Sequence, residues 1–378
     1  MRILYSAIDQ VVPGTRGGST HVRAVAEGLA ALGHEIHVLV ARGDGGFPSG
    51  AVHWIEMSPP LGANQLRWMR SGAVARIADT LRPDIVMERY YNFGGEAIEH
   101  ARRLGALAVL EVNAPVIDHA GSTKALLDRA LLVQPMRRWR EQLVDAADLI
   151  VTPSAAILPA GTPPGKVLEI EWGADTDRFR PGASGPLTFT RPAGTVAVFA
   201  GAFRSWHGAI HLARAIRQLH VRGRTDMSAL FIGDGPEHAA VRTEAGGLDD
   251  VVFTGALPHE HMPAALGTAH IGVAPFDLGA HKPLSLGFYW SPLKIFEYMA
   301  AGLPVVAPAV ARIPNLVEHR REGLLYDPAD PVALSRTLEE LAEPELRQRL
   351  GAAARERAVR EYSWKAHCEA LDRRFRIV

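Results

Sequence analysis

The sequence has almost no cysteine. Cys368 stands alone, so no internal disulfide can staple the chain and a disulfide scaffold is excluded. It has no excess of either charge: 41 Lys and Arg balance 41 Asp and Glu for a formal net charge of zero, without the global basic footprint of nucleic-acid binders. Sixteen histidines are present, yet none stands with Cys, Asp or Glu at a metal-ligand spacing. No uninterrupted apolar run approaches the roughly 20 residues that span a bilayer, and the run after Arg2 is too short for a signal-peptide core. A cytoplasmic protein is expected, with peripheral contact at the inner face of a membrane left open. No compact Gly-x-Gly-x-x-Gly precedes the first helix and no Gly-Lys-Ser/Thr follows its loop, which argues against a dinucleotide dehydrogenase.

What is present suffices for two cores: 378 residues, 47% of them hydrophobic, about twice an ordinary domain. Short β-rich runs alternate with amphipathic helical stretches, the pattern of parallel sheets covered by helices on both faces. Strands are expected at Ile3–Ile8, Glu35–Val40, Val52–Glu56, Ile85–Glu88, Leu107–Val112 and Leu149–Thr152. A helix from about Thr20 carries Val22, Val25, Ala26, Leu29 and Leu32 at helical spacing. The Pro-, Gly- and Ser-rich segment 180–186 reads as a linker. Beyond it the alternation restarts, with strands at Val196–Ala200, Leu230–Gly233, Val251–Thr254, Ile271–Ala274 and Val305–Ala307, and a helix from about Pro292 to Ala301. The expected architecture is α/β, two Rossmann-like doubly wound domains, 1–183 and 190–360, facing a central cleft, with a closing helix at 361–378 completing the first. Such folds bind ligands at the carboxyl ends of their strands.

Three loops carry chemistry. Gly17-Gly18 before the first helix lets backbone amides approach an anion; the bland alternative is a flexible loop with a Ser19 or Thr20 cap. Arg204 and His207 sit in a strand-to-helix loop, where the arginine can hold a phosphate and the histidine adds a weaker, pH-dependent cation. The stretch Ser291-Pro292-Leu293-Lys294-Ile295-Phe296-Glu297 opens a helix whose free amides and dipole favour an anion, with Lys294 adding charge. Glu297, about one turn on, can reach the same ligand; that suits a nucleoside diphosphate and its ribose hydroxyls. An ordinary Lys–Glu surface pair is the competing reading.

At these residues the chain resembles the retaining glycosyltransferases of family 4, which have the GT-B fold, in a subgroup marked by Ser-Pro-Leu-Lys-x-Phe-Glu-Tyr. The resemblance runs through the Gly-Gly loop, residues 171–181, Ile-Gly-Asp-Gly-Pro at 232–236, residues 252–260 and the motif at 291–302. It implies metal-independent, cofactor-free transfer of a hexose-type sugar from a nucleotide diphosphate sugar to a glycan, lipid-linked or small-molecule acceptor. The second domain would hold the donor and the first the acceptor. Arg204 would contact the diphosphate, Glu297 the ribose and Leu257 the base; the backbone of Ser291, Leu293 and Lys294 would meet the phosphates, and Gly17 and Gly18 would close over the sugar. Arg204, Lys294 and Glu297 are thereby candidate catalytic residues.

Three departures accompany the resemblance. Tyr289 stands where the family often has the first of two glutamates. His207 replaces a lysine, which Lys294 is expected to offset. Asn113 replaces a histidine, and His119, six residues on, is the candidate for the acceptor side. Other readings are a catalytically silent nucleotide-sugar-binding protein or partner subunit, and a nucleotide-sugar epimerase. Arg67-Trp68-Met69-Arg70 and Arg137-Arg138-Trp139-Arg140 mix cations with tryptophan, as membrane-contacting segments do, although a solvated helix face with a buried tryptophan is the plainer expectation.

Overall fold

A computed structural model describes residues 1–14, 16–119, 121–122, 125–126, 130 and 134–377, with 134–138 described by backbone alone. The chain forms two compact units. One comprises Met1–Trp172, Tyr289–Ser291 and Trp364–Val378, and the other Gly173–Phe288 and Pro292–Ser363.

The first unit is built on seven parallel strands: β1 (Arg2–Val12), β2 (Glu35–Arg42), β3 (Val52–Glu56), β4 (Ile85–Arg89), β5 (Leu107–Glu111), β6 (Leu149–Thr152) and β7 (Val167–Glu169). They lie in the order β3-β2-β1-β4-β5-β6-β7. Ile3, Leu4, Tyr5, Ala7 and Ile8 are all buried, because helices cover both faces of a parallel sheet and its strands therefore read as continuous apolar runs. Helix α1 (Gly17–Ala31) buries Val22, Val25, Ala26 and Leu29, the stripe that its spacing dictates. The closing helix Trp364–Phe375 adds Cys368, Leu371 and Phe375 to the same core. Gly28 permits this contact, since any Cβ there would strike Cys368 Sγ.

The second unit repeats the plan with β8 (Thr195–Ala200), β9 (Met227–Ile232), β10 (Val251–Gly255), β11 (Ile271–Val273), β12 (Val305–Pro308) and β13 (Gly323–Tyr326), ordered β10-β9-β8-β11-β12-β13. Helix α2 (Ala209–Val221) follows β8 and buries Leu212, Ala213, Ile216 and Leu219; α3 (Leu293–Ala300) precedes β12. In each sheet the strand order reverses beside the unit's first strand, between β1 and β4 and between β8 and β11. These are the switch points where a doubly wound sheet opens a crevice at its carboxyl edge.

Two short edge strands, β7 and β13, were not expected from sequence; three or four residues give no period to detect. The division between units falls between Trp172 and Gly173, ahead of the Pro- and Gly-rich segment 180–186. The reason is bonding. Ala174 N donates to Tyr362 O at 2.7 Å, Arg355 Nη1 donates to Phe179 O at 2.8 Å, and Pro181 packs on Gly302. Turn-forming composition marks the bend there, not the crossover.

Gly272 in β11 has no room for a side chain, because a Cβ would collide with the Tyr298 ring, whose hydroxyl accepts from Ala200 N at 2.7 Å. Gly272→Ala is expected to cost about 1–3 kcal/mol through overpacking, read as a lower urea midpoint; an unchanged midpoint would contradict this packing.

Candidate functional site

In the second unit, β8 ends in a loop whose first residue, Gly201, has φ +138°, a conformation that L side chains rarely adopt. A Cβ at Gly201 would stand 3.1 Å from Lys294 Nζ and 3.7 Å from His207 Nδ1. The glycine therefore leaves room for an amine delivered from a different element. Helix α3 supplies it. Ile295, Phe296 and Met299 bury the apolar face of α3, which turns Lys294 toward β8. Its Nζ lies 4.1 Å from the Phe199 ring centroid and 5.2 Å from that of Phe276. The residue is only 9% exposed and the amine has no hydrogen-bond partner. Burial lowers its pKa to about 7, with Glu297 pulling in the opposite direction.

Glu297 does not pair with Lys294. Its carboxylate lies 3.5 Å from His259 Nε2, and His259 sits edge-on to Phe179. The surface Lys–Glu pair is thus not formed, and among the described residues no acid stands within ion-pair distance of the buried amine. Leu257, half-buried after β10, lies two residues before His259. The first-turn amides of Leu293 and Lys294 have no acceptor within the helix, as at any helix start.

Other expected residues fall differently. Arg204 is exposed in the loop after β8. His207 contacts Ala202 O through Nδ1 at 2.5 Å. Burial and then the nearby Lys294 lower its pKa to about 3, so it is a neutral imidazole at pH 7, not the supplementary cation expected. Ser291 belongs to the first unit, where its hydroxyl donates to Glu171 Oε2 at 2.5 Å and accepts from Trp172 N at 2.7 Å. Tyr289 belongs to the same unit and is buried, its phenol pushed up to about 12; it brings no carboxylate. The glycines of 232–236 have a packing role: a Cβ at Gly235 would stand 2.8 Å from Phe203 N, so the loops after β8 and β9 close on each other.

In the first unit Gly17 and Gly18 open α1, and a Cβ at Gly18 would strike the Gln10 side chain. His119 follows β5 and lines a pocket of about 370 Å³ with Asp118, Ser122 and Arg140, to which neither glycine contributes. Sequence reasoning missed a buried charge network at the carboxyl edge. Arg67, 0% exposed, bonds Asp9 Oδ1 at 2.8 Å, Arg89 O at 3.1 Å and both Glu96 oxygens, with Glu88 at 3.8 Å. Burial opposes its charge, yet Glu96, Asp9 and Glu88 hold the guanidinium above its ordinary value. Glu88 accepts from the amides of Gly95, Ala97 and Ile98. Next to it, Glu111 meets His21 Nε2 at 3.0 Å, Asn113 Nδ2 at 2.6 Å and the Tyr5 hydroxyl. Burial would raise its pKa, but His21, Arg89 and Tyr5 hold it well below the carboxylate range. Asn113 also accepts from Trp172 Nε1 at 3.0 Å, so it is a structural bridge. The available signal was charge closing an apolar strand: Glu88-Arg89 on β4 and Glu111 on β5.

Each of the two cation–tryptophan runs turns one arginine inward, while Trp68 and Met69 of the first are exposed. Arg67 and Arg140 both point inward, the latter bonding Val116 O at 3.1 Å and reaching Asp118 at 3.4 Å. The side chains of Arg137 and Arg138 lie outside the described residues.

Residues 15–178 match the model of "Glycosyltransferase Family 4" and residues 194–344 that of "Glycosyl transferases group 1". A sulfoquinovosyl transferase of Arabidopsis thaliana is 30% identical over 62% of this chain, a match spanning 46% of the relative, less than half of its length. A GDP-mannose-dependent alpha-mannosyltransferase of Corynebacterium glutamicum is 24% identical over 98% of this chain and 87% of its own. The crystal structure of Anabaena HepE in complex with UDP and glucose superposes with a TM-score of 0.69 at 16% identity, covering 100% of both chains.

An unpaired buried amine carries a stability signature. Unfolded, Lys294 binds its proton up to about pH 10.5; folded, it releases it near pH 7. The unfolded state therefore holds more protons across that window, and stability rises with pH through it. Lys294→Met should flatten this rise and lift the melting temperature at pH 7 by at least about 2 °C, the least that one kcal/mol brings in a domain of this size. A lower melting temperature would mean that the amine is satisfied in the folded state.

Proposed function

Because residues 15–178 and 194–344 match the models of "Glycosyltransferase Family 4" and "Glycosyl transferases group 1" and the chain has the GT-B fold, we propose that it is a family 4 glycosyltransferase that transfers a sugar from a nucleoside diphosphate sugar to an acceptor, with retention at the anomeric carbon. The observation that carries this reading is Lys294: an amine enclosed by Phe199, Phe276 and Gly201, without a counterion, at the carboxyl edge of β8 and β11. Burying a cation unpaired is unfavourable, and a ligand anion reverses that cost. The two charges of a diphosphate, close to the free amides at the start of α3, are the complement such a site lacks.

In this mechanism the diphosphate seats on Lys294, Arg204 and the amides of Leu293 and Lys294. Its negative charge drives the amine to its protonated form. Glu297, held toward His259, accepts hydrogen bonds from the ribose hydroxyls, and Leu257 packs on the base. The bond between the anomeric carbon and the β-phosphate oxygen breaks, its electron pair passing to that oxygen. Lys294, Arg204 and the helix amides stabilise the growing charge there, the kind of preorganised electrostatics that carries most of a barrier reduction. The acceptor oxygen attacks from the same face and gives its proton to the departing phosphate. No pair of protein carboxylates is needed for this, which accommodates Tyr289. In this reading the charge-stabilising groups are the protein's own and no metal takes part.

The acceptor is assigned to the first unit, and its class is a glycan, a lipid-linked sugar or a small molecule. The relatives named for mannosyl and sulfoquinovosyl transfer, and the UDP and glucose in HepE, support a sugar nucleotide donor.

Calorimetry with UDP, GDP, ADP and dTDP in the presence of EDTA tests this reading. One nucleotide is expected to bind. Lys294→Met and Arg204→Ala should each weaken it about tenfold or more, the range for losing a charge-assisted hydrogen bond, whereas His207→Asn should leave it nearly unchanged. Turnover of the corresponding sugar nucleotide should persist in chelator. Equal losses in the Lys294 and His207 variants, or none in either, would contradict the assignment.

A further inference from the structure

Residues 57–78 contain no Asp or Glu and hold Arg67, Arg70 and Arg76. Within this stretch two 3₁₀ turns, Pro60–Gly62 and Asn64–Arg70, pack on each other. Arg67 is drawn inward by Asp9, Glu88 and Glu96. A 3₁₀ turn has three residues per revolution, so a residue pinned inward turns its next two neighbours outward. Those neighbours are Trp68 and Met69, each 54% exposed. Leu61, on the adjoining turn, is 97% exposed and has φ +55°, so a large apolar side chain is held outward on a backbone conformation that leucine disfavours. Among the described residues no other tryptophan is exposed.

Among the described residues, the segment's other two cations have no carboxylate partner: Arg70 Nε donates to Ser58 O at 2.8 Å and Arg76 Nε to Gly72 O at 3.3 Å. A second copy of the same face would set arginine against arginine, which disfavours self-association. An anionic bilayer supplies both missing complements, phosphate for the arginines and an interfacial apolar layer for Leu61, Trp68 and Met69.

We propose that Leu61, Trp68 and Met69, in the acid-free segment that also carries Arg70 and Arg76, form a surface that docks the first unit on an anionic lipid bilayer. The contact is small and reversible, as three apolar side chains and two cations dictate. It is independent of the transferase reading, since none of these residues belongs to the donor site.

The test is co-sedimentation of the full chain with phosphatidylcholine vesicles and with vesicles containing about 30% phosphatidylglycerol, chosen as in any surface-charge titration. Binding is expected to the anionic vesicles only, weakening with salt. Leu61→Ser/Trp68→Ser should lower the partition coefficient at least about tenfold, because the apolar contact is lost. Arg76→Gln should lower it about fivefold, the share of one interfacial cation. Both variants alter exposed side chains, and an unchanged nucleotide affinity and melting temperature will confirm that they fold. No binding to either vesicle, or binding that survives Leu61→Ser/Trp68→Ser, would overturn the proposal. So would concentration-dependent dimerisation lost in that variant, which would make the face an interface between proteins.

Discussion

The second unit depends on one unfavourable arrangement, a lysine amine buried without a counterion. Lys294 Nζ lies close to the Phe199 and Phe276 rings and has no hydrogen-bond partner among the described residues, and Glu297, the acid best placed to neutralise it from its own helix, is turned to His259. Several otherwise separate features follow from keeping that amine in place. Gly201 lacks a side chain because the amine occupies the space beside it. The apolar face of α3 orients the lysine, and the neutral His207 adds no repulsion.

The first unit treats a buried cation in the opposite way. Arg67 is surrounded by Asp9, Glu96 and Glu88 and bonded to a backbone carbonyl. A buried guanidinium so fully paired organises structure and has little capacity left for a ligand. The contrast separates two roles that composition cannot distinguish. Both cations stand at the carboxyl edge of a parallel sheet, where the apolar strands end. One is paired and holds the loops around it; the other is unpaired and is suited to bind an anion. The pinning of Arg67 also has an outward consequence, since it sets the direction of Trp68 and Met69.

Much of the fold was legible because parallel strands buried on both faces must be apolar throughout, and β1, β4, β5 and β8 carry that signature plainly. The edge strands β7 and β13 were too short for a period, and the 180–186 segment misled because Pro and Gly signal a bend without saying which core the flanking residues join. At the candidate site, the helix start at Leu293 and the residues Arg204, Lys294 and Glu297 could be picked out from residue type and spacing. Their electrostatics could not. That Lys294 is buried depends on Phe199 and Phe276, far away in sequence. That Glu297 meets His259 depends on the loop after β10. Arg67 read as a surface cation beside a tryptophan because its partners at Asp9, Glu88 and Glu96 are brought to it only by the sheet.

The central claim is that Lys294 awaits an anion in its deprotonated or half-deprotonated form and gains a proton when the donor arrives. Calorimetric titration with UDP-glucose and GDP-mannose in buffers of different ionisation enthalpy, at pH 6 and pH 8, counts that proton directly; a sugar diphosphate has no titrating group of its own in this range. With a free-state pKa of about 7, binding at pH 8 should take up close to one proton and binding at pH 6 almost none. Tight binding at pH 8 with no proton uptake would contradict the account.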